Sequence, residues 1–343
     1  MGLGHFGGGV AAARWLARLG AVVTVSDLAE KNTLAEPLGE LADLPITSFH
    51  LGGHREEDFR RAELVVVNPA VRPDNPMLEI ARCSGAQLCS EIELFMRASP
   101  AAIIGVTGSN GKSTTAAMIS AILQASGRKT WLGGNVGGSL LDSLEQIAED
   151  HWVVLELSSF QLHHLAADAP GPRVAVITGF SPNHLDWHGT LPDYVAAKQR
   201  ILTLQTAADT AVLAAYDEQL ASWRHMVQGR LLPSIDLADV PRLSVPGEHN
   251  RRNAACAWAA ARAAACGEEA TQRGLRAFGG LPQRLEPLME AAGRMFYNDS
   301  AATTPESTIA ALRWIATTVD HTNGGLRSRK RPFWLLAGGR NKG

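Results

Sequence analysis

The residues Thr107-Gly108-Ser109-Asn110-Gly111-Lys112-Ser113-Thr114 follow directly on the apolar run Ala101 to Val106 and lead into a helical stretch, Thr115 to Gln124. Small residues in such a loop leave backbone N–H groups open to phosphate oxygens. The lysine supplies a point charge, and a Ser or Thr hydroxyl can hold Mg²⁺. Gly108, Ser109, Asn110, Gly111, Lys112, Ser113 and Thr114 are therefore expected to bind the phosphates of a nucleotide. The strict spacing of a phosphate loop would put its first glycine at Val106; Gly105 and Gly108 flank that position instead.

Two further apolar strands are predicted, Trp152 to Leu157 and Val174 to Thr178, each ending in polar residues. Ligand sites in open α/β sheets lie at strand carboxyl ends, so Glu156-Leu-Ser158-Ser159-Phe-Gln161 and Ser181-Pro-Asn183-His184-Leu-Asp186 should converge beside the loop. Nearer the N-terminus, Gly2-Leu-Gly4-His5-Phe-Gly7 precedes a helix, Val10 to Leu19, and a strand, Ala21 to Val25, that runs to Asp27. Glycines there permit a tight turn and close approach of a phosphate to a helix N-terminus, and an acid some 20 residues on can accept a ribose hydroxyl. Taken alone, that pattern fits dinucleotide binding, other nucleotide binding and a structural turn. The strand that should precede Gly2 is expected upstream.

The elements that position these groups alternate between helix and strand, which predicts an α/β fold in three segments. Residues 1–98 read as a Rossmann-like nucleotide unit, residues 99–284 as a central nucleotide-triphosphatase-like domain with a parallel sheet, closed by an alanine-rich helix from Asn250 to Cys266. Residues 285–343 read as the start of a second Rossmann-like domain: a strand, Arg294 to Tyr297, a helix, Pro305 to Thr317, and a last strand, Pro332 to Ala337. That unit ends unfinished at Lys342-Gly343, and a continuation is expected.

With 45% hydrophobic and 19% charged residues over 343 positions, the composition is that of a globular protein. A formal charge of −2 argues against nucleic acid as the main partner. The basic run Arg327 to Arg331 reads as an exposed loop. Four cysteines without a CxxC pair indicate neither a disulfide framework nor a zinc site. No stretch approaches the ~20 apolar residues a membrane helix needs, so a cytoplasmic monomer without membrane insertion is expected.

The ordered set Gly105 to Thr114, Glu156 to Leu162, Pro182 to Asp186, Ala197-Lys198, Gly247 to Asn250, Leu281 to Arg284 and Asn298 to Ser300 closely resembles the Mur ligases, over almost the entire chain. Within them, Leu155 to Leu162, Ser90 to Phe95 and Gly338 to Gly343 resemble the branch that adds D-glutamate to UDP-N-acetylmuramoyl-L-alanine in peptidoglycan synthesis. The resemblance implies ATP and Mg²⁺ as cofactors and an acyl-phosphate intermediate. It implies catalytic roles for Lys112, His184 and Lys198, with Ser113, Glu156, His184 and Lys198 around the metal ions, Lys198 as a carbamate. Asn250, Asn253, Arg284 and Asp299 would contact adenosine or its phosphates. Gly4, His5 and Asp27 would take the UDP end, Asn135, Ser158 and Gln161 the muramoyl part, and Thr303 and Lys342 the glutamate side. The chain departs from the pattern at Ala301, where lysine is usual, and at Asn183 and Asn341, where aspartate is common. A dinucleotide oxidoreductase leaves the Gly108–Lys112 loop, Glu156 and His184 unexplained. A ligase of other amino-acid specificity and a non-catalytic nucleotide-binding remnant stay as alternatives.

Overall fold

The computed structural model describes residues 1–4, 7–321 and 334–338. Its centre is a six-stranded, wholly parallel sheet of order β10-β9-β8-β5-β7-β6. The strands are β5 (Ala102–Thr107), β6 (Thr130–Gly134), β7 (Trp152–Glu156), β8 (Val174–Ile177), β9 (Thr210–Leu213) and β10 (Arg230–Pro233). Ile104, Val106, Val153, Val154, Val176 and Ile177 are all buried, as continuous apolar runs in a sheet covered on both faces should be. Helices Lys112–Ala125 and Glu248–Ala263 pack on this sheet and on each other, and helix Glu268–Ala277 packs on both of them. Helices Ser159–His163 and Leu191–Thr203 form a second layer, in which Ile201 lies against Gly105 of β5. The chain reversals between these elements bring the C-terminal ends of β5, β7 and β8 together, which is where the predicted chemistry lies.

Before this sheet come two parallel pairs, β1 (Val23–Asp27) with β2 (Ile46–Leu51) and β3 (Leu64–Val66) with β4 (Gln87–Cys89). Residues 1–3 run between β1 and β3 and bond to both: Gly2 N–H donates to Ser26 O at 2.8 Å, and the Met1 amino group donates to Val66 O at 2.9 Å. The helix Gly8–Arg18 follows the glycine turn, as its apolar spacing predicts.

After the central sheet, β11 (Glu286–Ala291) and β12 (Arg294–Asn298) form an antiparallel hairpin, followed by the helix Pro305–His321. Sequence reasoning found β12 and the helix and missed β11. The signal was Ala292-Gly293: both have positive φ, 49° and 68°, as a two-residue hairpin turn matching strand twist requires. The strand predicted over Pro332 to Ala337 is corrected. Its described residues, 334–337, belong to no strand, and Trp334 and Leu336 are exposed. An apolar run without a neighbouring strand to supply ladder bonds stays outside any sheet. The basic run at 327–331 lies outside the described residues.

The loop after β3 is fastened to the central domain by three bonds: His164 Nε2 with Val71 O at 2.9 Å, Trp187 Nε1 with Ala70 O at 3.3 Å, and Arg72 Nη1 with Asp186 O at 2.7 Å. Burial pushes the His164 and His188 imidazoles from the usual 6.5 down to about 4. Between pH 6.5 and 4 the unfolded chain therefore binds protons that the folded chain refuses, so stability is lost as pH falls through that window. Denaturant unfolding should show this decline, and His164→Gln should shrink it; an unchanged slope in the variant would contradict the assignment.

Candidate active site

The phosphate loop leaves β5 and enters helix Lys112–Ala125 through Gly111, whose φ of 83° is left-handed. A Cβ there would lie 2.2 Å from Asn253 Oδ1, and one on Gly108 (φ 149°) would lie 2.2 Å from Thr178 Oγ1. Both glycines are thus fixed by conformation and by close approach. Gly111→Ala should cost more than the ~1 kcal/mol of an ordinary glycine replacement, and thermal unfolding with and without ATP would show a lower melting point and no nucleotide-induced shift. A variant still stabilised by ATP would contradict this.

Three charged side chains, two buried and one partly buried, meet at the strand ends. Lys112 Nζ donates to Gly108 O at 3.1 Å and Ser109 O at 3.2 Å. Lys198, 2% exposed on helix Leu191–Thr203, donates to the same Gly108 O at 2.7 Å and lies over the Tyr194 ring. Glu156, 1% exposed at the end of β7, accepts from Asn135 Nδ2 at 2.9 Å through Oε1, while its buried Oε2 has no hydrogen-bond partner among the described residues. Burial holds the Lys198 ammonium well below its ordinary range; Lys112 lowers it further and Glu156 opposes the shift. Lys112 is lowered by burial too, opposed by Glu156 and assisted by Arg284. An amine held in this way is neutral more often than a surface lysine and is a better nucleophile.

A cleft of about 380 Å³ opens over the loop. Asn250, Asn253 and His249 of helix Glu248–Ala263 line it, together with His184, Asp299, Thr303 and Ala301. Asn250 Nδ2 donates to Pro246 O, and Asn253 Nδ2 to Asn250 Oδ1. Arg284 reaches across the linker so that its Nη2 donates to Ser113 Oγ at 2.9 Å, on the phosphate side. Asp299 accepts from Leu285 N–H at 3.0 Å, and burial raises its carboxyl pKa. His184 has a left-handed backbone, φ 54°, and packs edge-on against Phe160 with ring centroids 4.8 Å apart. Ser307 Oγ donates to Asn110 Oδ1 at 3.2 Å, which brings the last helix onto the loop.

The donors that could hold a metal ion, Ser113 Oγ and the open Glu156 Oε2, are both oxygens. Among the described residues no cluster of three His, Cys, Asp or Glu side chains forms a cage. A hard-oxygen set with one carboxylate suits Mg²⁺, which completes its shell with substrate phosphates and water.

A second cleft, of about 610 Å³, lies at the carboxyl ends of β1 and β3 and is lined by Gly4, Asp27, His54, Asn68 and Arg72 among others. Asp27 accepts from the N–H groups of Leu3 (2.7 Å), Gly4 (3.3 Å) and Ala29 (2.8 Å). His5 and Lys342 lie outside the described residues. Ser158 and Gln161 form a capping box for helix Ser159–His163: Gln161 N–H donates to Ser158 Oγ, and Ser158 N–H to Gln161 Oε1. Their side chains thus have a structural task already, one that the S-x-x-Q spacing itself signals.

Sequence reasoning missed Thr178, whose Oγ1 donates toward Asn110 O at 2.5 Å and Thr107 O at 3.2 Å. It directly follows β8, much as Glu156 ends β7, and that likeness of position was the available signal. It also missed Tyr194, whose hydroxyl meets Ser109 Oγ at 2.9 Å.

Residues 1–90 match the family described as Mur ligase MurD-like, N-terminal domain, and residues 106–239 the Mur ligase middle domain. The UDP-N-acetylmuramoylalanine–D-glutamate ligase of Roseiflexus sp. (strain RS-1) is 38% identical, over 100% of this chain and 77% of that protein. The chain belongs to the Mur ligases. The enzyme of the same name from Lactococcus lactis subsp. lactis is 36% identical, over 99% of this Mur ligase and 77% of its own length. In fold, it resembles the UDP-N-acetylmuramate–alanine ligase of Thermotoga maritima, with a TM-score of 0.58 and 23% identity over 93% of this chain and 77% of that one. As a Mur ligase it is an ATP-dependent ligase of cell-wall synthesis with an α/β fold. No helix among its described residues is long and apolar enough to cross a membrane.

Proposed function

We propose that this Mur ligase joins D-glutamate to UDP-N-acetylmuramoyl-L-alanine, with cleavage of ATP to ADP and phosphate. The observation that carries the reading is the likeness, along the whole chain, to ligases of that name at 38% and 36% identity. The partly buried Lys112 and the buried Glu156 and Lys198 beside the phosphate loop supply chemistry that fits it.

A carboxylate is a poor electrophile. The substrate's carboxylate oxygen therefore attacks the γ-phosphorus and the bond to the β-phosphate oxygen breaks, leaving an acyl phosphate and ADP. The amine of D-glutamate then attacks the acyl carbon, phosphate leaves, and the amine's proton passes to a base. Lys112 and the loop N–H groups neutralise and align the phosphates, with Arg284 beside them. Ser113 and Glu156 would hold Mg²⁺, which would supply charge neutralisation for the phosphates. The depressed Lys198 amine suits addition of CO₂, which converts the neutral amine into a carbamate anion and releases one proton; His184 lies on the same side. Asn250, Asn253 and Asp299 take the adenosine, Thr303 the glutamate side. Gly4 and Asp27 take the UDP end, and Asn135 the muramoyl part, with Ser158 and Gln161 supporting it from their capping box. The domains span 1–98, 99–284 and 285–343, and each sheet of the fold lies within one of them. ATP and a nucleotide-linked precursor as substrates support a cytoplasmic location, and the reading takes the enzyme to act as a monomer.

Phosphate release and product mass should be followed with ATP, Mg²⁺ and UDP-N-acetylmuramoyl-L-alanine, with D-glutamate present or withheld. Amide product and phosphate release that both require D-glutamate are expected. Product formed equally well with another amino acid would overturn the assignment.

A further inference from the structure

The N-terminal cleft has several polar groups on its wall, and most are engaged. Asp27 holds three backbone N–H groups. Arg72 is held by Asp74 and by Asp186 O. Asn75 Oδ1 caps helix Pro76–Cys83, and Asn68 turns its Nδ2 over Gly4, toward the glycine turn. His54 differs. Its Nδ1 lies 2.7 Å from Ser26 Oγ and its ring packs edge-on against Phe59, while no described residue partners its Nε2.

Ser26 fixes which nitrogen carries the proton. The Ser26 side chain is buried, and its Oγ makes no other hydrogen bond among the described residues. If it accepted from Nδ1–H, its own hydrogen would be buried without an acceptor; donating to Nδ1 satisfies it. Burial keeps the imidazole pKa low, so the ring is neutral near pH 7 and the proton sits on Nε2. The cleft wall therefore presents one oriented donor that demands a carbonyl.

We propose that His54 reads the O4 carbonyl of a uracil base in this cleft and so selects uridine over cytidine nucleotides. This rests on the reading of the N-terminal cleft as the site of the UDP end. Cytosine carries an amino group where uracil carries O4, and would set a donor against the Nε2–H donor, leaving both unsatisfied.

Calorimetric titration of UDP and of CDP into the full chain, with the ATP cleft filled by ADP, tests this. UDP should bind the wild type about 10- to 100-fold more tightly than CDP, the range set by one opposed buried hydrogen bond. His54→Ala should bring the ratio close to one. His54→Gln, whose amide can turn either edge to the base, should also do so while keeping affinity for both. Ser26→Ala leaves the ring in place but frees its tautomer, and should lower the ratio, which loss of packing alone would not. An unchanged ratio in His54→Ala, or equal affinities in the wild type, would overturn the role of His54 alone. Absence of UDP binding in the wild type would overturn the cleft assignment together with it.

Discussion

Replacing Lys112 by alanine is expected to lower ATP turnover by about 10³-fold, the scale seen when one preorganised charge-stabilising donor is removed from a transition state. The Lys112 ammonium does two things. It bonds the carbonyls of Gly108 and Ser109, which fixes the loop's curvature, and it brings a partly buried positive charge to the place where phosphate oxygens gain charge. Its loss also removes the repulsion that helps keep Lys198 neutral, so CO₂ addition there should weaken in step. The N-terminal cleft draws on other residues, so binding of the UDP-linked substrate, measured calorimetrically, should survive. Equal loss of turnover and of that binding would sink the division of labour between the two clefts.

Glu156→Gln should have the second-largest effect. One carboxylate oxygen serves Asn135 and the other is buried with no partner among the described residues, near Lys112 and Lys198. The amide is nearly isosteric, but it removes the negative charge and gives one of the two positions an N–H. If the N–H faces Asn135, two donors oppose each other; if it faces the open side, it repels a cation. Turnover against Mg²⁺ concentration should shift its midpoint upward by about 10- to 100-fold, as losses at metal shells do. A midpoint that stayed in place would remove Glu156 from the metal site.

The central domain was legible in the sequence because its strands are buried on both faces. Uninterrupted apolar runs such as Ile103 to Val106 and Val174 to Ile177 read directly as parallel strands, and the glycine and lysine spacing placed the loop between β5 and its helix. The hairpin was half legible. Glu286 to Ala291 lies exposed on a mixed polar and apolar strand, so no burial pattern marks it, and only its turn chemistry could have revealed it. Site residues divide along another line. Lys112, Glu156 and Lys198 converge as expected because strand ends in a parallel sheet converge. Ser158 and Gln161 show the opposite case: one S-x-x-Q spacing fits both a substrate contact and a helix cap, and the structure shows the cap. Thr178 carried only the signal of its place at a strand end, and Tyr194 none, because nothing in a lone tyrosine says which loop it will meet.

The position of β5 has a consequence for how the enzyme is made. That strand sits in the middle of its sheet, and its two neighbours come from residues 152–156 and 174–177, both later in the chain. As the chain leaves the ribosome, an apolar strand and the phosphate loop behind it emerge with neither neighbour available, and Thr178, which steadies Asn110, emerges last. Non-local pairing of this kind is slow and exposes sticky surface while it waits. The loop therefore has its sequence long before it has its shape: a nascent chain halted short of β8 carries every residue from Gly108 to Thr114 and still has nowhere to put a phosphate.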